Sequence, residues 1–125
     1  MSVIDGDAAL YEMLARAGEK RVFSPGEVIF ERGDRAASMF VLSSGTVDFK
    51  RDADVFHSLG APGLFGELAL IDLSERSMTV AAQSEAEIVE IPARHFWVLV
   101  QETPRFAQLV MSVMAHRLRE LSETA

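Results

Sequence analysis

Phe65-Gly66-Glu67-Leu68-Ala69-Leu70, followed by Glu75-Arg76-Ser77-Met78-Thr79-Val80, holds the residues best suited to chemistry in this chain. A glycine lets backbone approach a bound group closely. A carboxylate accepts hydrogen bonds when ionised, so Glu67 suits a hydroxyl and not a phosphate. Amide N–H groups at the start of a helical turn suit an anion. Arg76 offers a planar fork to two phosphate oxygens. The set fits a small, singly charged phosphate ester that also carries sugar hydroxyls.

The run resembles the phosphate-binding cassette of the cyclic-nucleotide-binding domain family, which includes the bacterial catabolite activator protein and the regulatory subunits of protein kinase A. Gly66, Glu67, Ala69, Leu70, Arg76, Ser77, Thr79 and Val80 fall in the family's order. Upstream, Phe23 to Phe30, Gly33-Asp34, Met39 to Leu42 and Ser44 to Val47 match its strand-and-turn pattern, so the likeness covers nearly the whole chain. The resemblance implies a ligand site of Phe65, Gly66, Glu67, Leu68, Ala69, Arg76, Ser77 and Met78, joined by Leu121 and Ser122 from the last helix. It implies cAMP as the first choice of ligand, with cGMP the alternative, and no cofactor. Arg76 and Ser77 would hold the phosphate, and Glu67 a ribose hydroxyl. The chain departs from the family pattern at Glu75, where many members have proline, and at Met78, where a small residue is common. Leu121 can pack on a purine but cannot hydrogen-bond its exocyclic amine.

Elements that would position these residues are visible in the patterning. Leu10, Met13 and Leu14 give Ala8 to Ala17 a helical spacing, closed by Gly18. From Lys20 to Pro92 short apolar runs alternate with turn signals such as Ser24-Pro25-Gly26, Gly33-Asp34, Ser43-Ser44-Gly45 and Ala61-Pro62-Gly63. Val28 to Phe30, Met39 to Leu42, Val47 with Phe49, and Val55-Phe56 with Leu59 read as strands. Met78, Val80 and Ala82 alternate with Ser77, Thr79 and Ala81, as in a half-buried strand. Helical spacing returns from Arg94 to Gln101 and again after Thr103-Pro104, a plausible N-cap followed by a first-turn proline. Phe106, Leu109, Val110, Val113, Met114, Leu118 and Leu121 then form one stripe. The expected fold is α+β: an N-terminal helix over 1–18, strands over 19–92 with the cassette at 65–80, and two helices over 93–125. That the strands form a jelly-roll-like β-roll of about eight strands is implied by the resemblance. The whole chain, 1–125, is expected to be one domain.

Bulk properties narrow the function. The 125 residues carry a net charge of −7 and are 49% hydrophobic. That hydrophobicity excludes general disorder. The acidic balance disfavours sequence-independent DNA binding, which needs many cations against phosphates, and the chain ends before a helix-turn-helix of the family's regulators would fit. There is no cysteine, so disulfides, thiolate metal sites and a cysteine nucleophile are excluded. His57, His95 and His116 stand apart from other metal ligands, and no serine shows a base partner. No apolar stretch is long enough to span a bilayer, and no signal peptide is evident. The expectation is a cytoplasmic, non-enzymatic regulatory module without metal, DNA or membrane partners. It would dimerise through residues 104–123 and act on an effector in trans. The alternatives are a degenerate cassette serving as an interaction or dimerisation module, or a piece of a larger regulator.

Overall fold

Strand β3 (Ser38–Ser44) explains the layering of the molecule. Successive side chains of a strand point to opposite faces. Met39 and Val41 enter one apolar cluster, and Phe40 and Leu42 enter another. Both faces of β3 are therefore covered, so Met39 to Leu42 is an unbroken apolar run in place of an alternating one. Strand β8 (Ala86–Pro92) divides in the same way, with Val89 and Ile91 on one side and Ile88 on the other.

The computed structural model describes residues 8–124, with side chains described through residue 120. The remaining strands are β1 (Glu19–Phe23), β2 (Val28–Phe30), β4 (Thr46–Arg51), β5 (Asp54–Gly60), β6 (Gly63–Phe65) and β7 (Thr79–Ala82). They form two antiparallel four-stranded sheets, ordered β1-β8-β3-β6 and β2-β7-β4-β5. This is the expected eight-stranded β-roll. Strands β1, β6 and β8 are not evident from local patterning. β1 is mostly exposed, β6 has three residues, and β8 buries both faces.

Phe23, Phe40, Leu42, Val47, Phe65, Val80 and Ile88 fill the space between the sheets. The second cluster joins the outer face of the first sheet to the helices α1 (Ala8–Leu14), α3 (Ala93–Glu102) and α4 (Pro104–Thr124). A further short helix, α2 (Leu68–Ile71), lies in the cassette. Among the described residues no helix is long and apolar enough to cross a membrane.

Three local expectations change. α1 stops at Leu14, short of Ala17, and tight turns carry the chain on. Gly18 meets a different demand: a Cβ there would lie 2.1 Å from the Glu90 carbonyl oxygen, so glycine permits β8 to pass. In β7 Ala81 is buried as well as Val80 and Ala82, so the strand does not alternate. The stripe of α4 is not continuous. Phe106, Leu109, Val110 and Val113 are buried, whereas Leu118 is 64% exposed and Met111 62%.

Candidate functional site

Arg76 is held by backbone before its side chain makes any contact. Its N–H donates to the Asp34 carbonyl at 2.9 Å, and its carbonyl accepts from the Gly33 N–H at 2.8 Å. Neighbouring Glu75 bridges Arg35. The Gly33-Asp34 turn and the cassette are thus fastened to each other.

The Arg76 side chain is 5% exposed. Its Nη1 donates to the Gly66 carbonyl at 2.6 Å and its Nη2 to the Ser38 carbonyl at 2.5 Å. The guanidinium carbon lies 4.2 Å from the Phe30 ring centroid and 5.6 Å from that of Phe40, both on the negative π-face. No carboxylate of the described residues pairs with it directly. Burial pushes its pKa down, and the more distant charges of Asp34, Glu67 and Glu90 oppose that. An arginine stays protonated throughout. The result is a buried cation held only by neutral groups, and a buried charge without a counter-charge is costly.

Gly66 makes this placement possible. Its φ is +81°, and a Cβ would fall 3.0 Å from Arg76 Nη1 and 3.1 Å from the Phe40 ring. Both the left-handed backbone and the close approach require glycine.

Glu67 has no solvent exposure. Its Oε2 accepts from Nη1 of Arg117 on α4, whose Nη2 donates to the Leu64 carbonyl at 3.0 Å. Its Oε1 has no hydrogen-bond partner among the described residues. A buried carboxylate oxygen without a partner marks a place where a donor is called for.

A cavity of about 670 Å³ opens beside these groups. Gly66, Leu68, Ala69, Arg76, Ser77 and Met78 contribute to its wall, as do Phe49, Phe56 and His57 of β4 and β5 and Arg117 and Glu120 of α4. Its size suits a nucleotide, since small-molecule sites span roughly 300–1,000 Å³. Leu68 and Ala69 open α2, where N–H groups have no carbonyl of their own helix to meet. Leu68 is 44% exposed, while Ala69 and Leu70 are buried. Phe65 is fully buried, and its ring packs on Phe30, Phe40 and Phe49. It belongs to the core between the sheets and, against the expectation of a ligand contact, is not among the residues that line the cavity. Glu75 is exposed at the rim. The side chains of Leu121 and Ser122 lie outside the described residues.

Sequence patterning does not mark Arg117, Phe30, Phe49, Phe56, His57 or Glu120 as lining a site, although the structure places all six around the cavity. Arg117 acts 50 residues from Glu67, a separation no local motif spans. Another cavity, of about 500 Å³, lies among Ala17, Gly18, Glu19, Glu90, Pro92, Arg94, His95 and Val98. Its arginine is exposed, so it lacks the buried cation that distinguishes the first.

Comparison with known proteins accords with this geometry. Residues 20–103 match the family model described as cyclic nucleotide-binding domain. The cyclic AMP receptor protein of Thermus thermophilus is 29% identical over 107 residues, covering 82% of this chain and 50% of that protein. A cyclic nucleotide-gated potassium channel of Rhizobium etli is 34% identical over 112 residues, covering 90% of this chain and 31% of the channel. The chain thus spans half or less of these relatives. Among solved structures, the Thermus thermophilus catabolite activator protein superposes with a TM-score of 0.81 at 26% identity, covering 95% of this chain and 59% of that one. The cAMP-bound form of an EAL enzyme gives 0.62 at 26% identity, covering 84% of this chain and 30% of that one.

Proposed function

Since the chain belongs to the cyclic-nucleotide-binding domain family, we propose that it is a cytoplasmic, non-enzymatic receptor for a cyclic mononucleotide, with cAMP the first choice and cGMP the second. The observation that carries this is Arg76: a buried guanidinium on a cavity wall, held by carbonyls and aromatic rings and by no carboxylate. A cyclic phosphate supplies the missing negative charge. Names of relatives support cAMP, both the cyclic AMP receptor protein and the cAMP-bound enzyme.

In this reading Arg76 binds the phosphate through N–H groups not committed to carbonyls, with the Ser77 hydroxyl and the N–H groups of Leu68 and Ala69 beside it. Gly66 allows the close approach. Glu67 Oε1 accepts from the ribose hydroxyl while Oε2 keeps Arg117. The sugar then adds to the cassette–α4 link and need not displace it. A ligand that favours one placement of α4 over another shifts the population between them by its differential affinity. Met78 lines the base side, and Leu121 and Ser122 are proposed to reach the base. The output passes to an effector in trans, and a homodimer forms through residues 104–123. DNA and membranes are not partners of this segment.

A competing reading is a cassette that serves only protein interaction. The engagement of Glu67 by Arg117 favours it. Isothermal titration with cAMP, cGMP and linear AMP separates the two. Saturable binding of a cyclic form, with linear AMP silent, is expected. Silence of both cyclic forms would leave the interaction module.

A further inference from the structure

The hydrogen bonds that hold Arg76 continue beyond the residues it touches. Its Nη2 donates to the Ser38 carbonyl at 2.5 Å. The Ser38 hydroxyl in turn donates to Oε2 of Glu90 on β8, also at 2.5 Å. The other carboxylate oxygen of Glu90, Oε1, accepts from Nη1 of Arg21 on β1 at 3.1 Å. Arg21, Glu90 and Ser38 sit on β1, β8 and β3, which lie side by side in the first sheet. The chain of contacts crosses those three strands and ends at the cassette arginine.

Exposure falls along this chain. The side chains of Arg21 and Glu90 are 50% and 32% exposed, whereas Ser38 and Arg76 are buried. Water screens the Arg21–Glu90 pair, so it contributes little. The field of Glu90 toward Arg76 crosses buried protein and is screened less. Burial disfavours the Arg76 cation, and the charges of Asp34, Glu67 and Glu90 counter it. Asp34 is exposed on its turn, and Glu67 is already paired with Arg117. Glu90 differs from both in that its carboxylate is linked to the guanidinium through Ser38.

We propose that Glu90, acting through Ser38, is a partial counter-charge of Arg76 and sets how strongly that arginine attracts a phosphate. Glu90 is a positioning residue and touches no ligand. In the free protein it offsets part of the cost of the buried cation. When a phosphate arrives, the same negative charge opposes it. The proposal rests on the receptor reading and deepens it: phosphate affinity is held below the value that a buried arginine without Glu90 would give.

The test is the Glu90→Gln variant, read by urea unfolding without ligand and by isothermal titration with cAMP. Gln keeps an oxygen to accept from the Ser38 hydroxyl and removes the charge. The variant should unfold at a lower urea concentration, because Arg76 loses its counter-charge. It should nonetheless bind cAMP more tightly, by roughly 3- to 10-fold, as for one unit charge removed several ångströms from a phosphate at an effective dielectric above about 20. A residue that only maintained the fold would lower stability without tightening binding. The urea series is repeated in an Arg76→Ala background, where the destabilisation by Glu90→Gln should disappear. Arg21 is present in both backgrounds, so the loss of its pair cancels. Equal urea shifts with and without Arg76, or cAMP binding no tighter than wild type, would overturn the proposal and leave the receptor reading standing. If wild type binds no cyclic nucleotide, the receptor reading falls and the affinity role with it. The urea cycle uses no ligand and still shows whether the two charges are coupled.

Discussion

The cassette and the last helix each bring one arginine to the cavity, and they use it in opposite ways. Arg76 of the cassette is 5% exposed and meets carbonyl oxygens and aromatic rings, so its charge remains unmatched inside the protein. Arg117 of α4 gives its charge to Glu67, a carboxylate with no solvent exposure. In the proposed reading one cation is reserved for an incoming anion, whereas the other is paired within the fold. The difference separates proposed recognition from observed linkage: the cassette would supply the anion site, and α4 is tied to the cassette through Glu67.

The largest expected effect tests the linkage. Arg117→Ala would leave Glu67 buried with neither oxygen paired to a cation. Breaking a buried ion pair costs about 3–5 kcal/mol, and the 28% exposure of Arg117 places this pair near the lower end. Adding Glu67→Gln to Arg117→Ala should restore much of that stability, because the uncompensated charge is then gone. Urea unfolding of the two variants measures both. If Arg117→Ala unfolds at the same urea concentration as wild type, the ion pair is not part of the fold and the contrast between the two arginines disappears.

Arg76→Ala should affect binding and leave stability nearly unchanged. Hydrogen bonds to a charged partner contribute roughly 1.5–3 kcal/mol, so cAMP affinity should fall by about 10- to 150-fold. Two terms oppose each other in the free protein. The Gly66 and Ser38 carbonyls lose their donor, while an unmatched buried charge is removed. Paired titration and urea unfolding read the two properties separately. A large stability loss with unaltered affinity would make Arg76 a structural cation, like Arg117, and would move the phosphate elsewhere.

The same two regions differ in how much of them can be read from sequence. The cassette is legible because its parts are local. Gly66, Glu67 and Arg76 lie within eleven residues of chain, and each residue type carries its own chemical meaning. The eight strands follow from the family resemblance more than from patterning. β3 and β8 bury both faces and so do not alternate, and β1 exposes most of its residues. Arg117 is illegible because helical spacing reports which face is apolar and not what a cation between apolar residues will meet. Its partner is set by the packing of α4 through Phe106, Leu109 and Val113. A bulge in β5 is hidden for a related reason: Phe49 pairs with His57 but Lys50 with Val55, so Phe56 is an extra residue. Val55-Phe56-His57 reads as an ordinary strand until its register with β4 is known.

The smallest effect on stability belongs to the face of α4 turned away from both the core and the cavity. Met111 and Leu118 are seven residues apart, which places them two turns apart on one side of the helix. They are 62% and 64% exposed, unlike the buried Phe106, Leu109, Val110 and Val113. That exposed face is where the proposed homodimer would form. Leu118→Gln should change unfolding free energy by no more than about 0.5 kcal/mol in the monomer, as surface substitutions generally do. It should still weaken self-association in sedimentation equilibrium, because each copy loses an apolar contact at the seam. An unchanged molecular mass would remove this face as the dimer seam. A stability loss well above that range at protein concentrations where wild type is monomeric would mean that Leu118 packs within its own chain. In that case the apolar stripe on α4 would serve only the fold, and the helix would act on the site through its polar residues, with Arg117 as the link to the cassette.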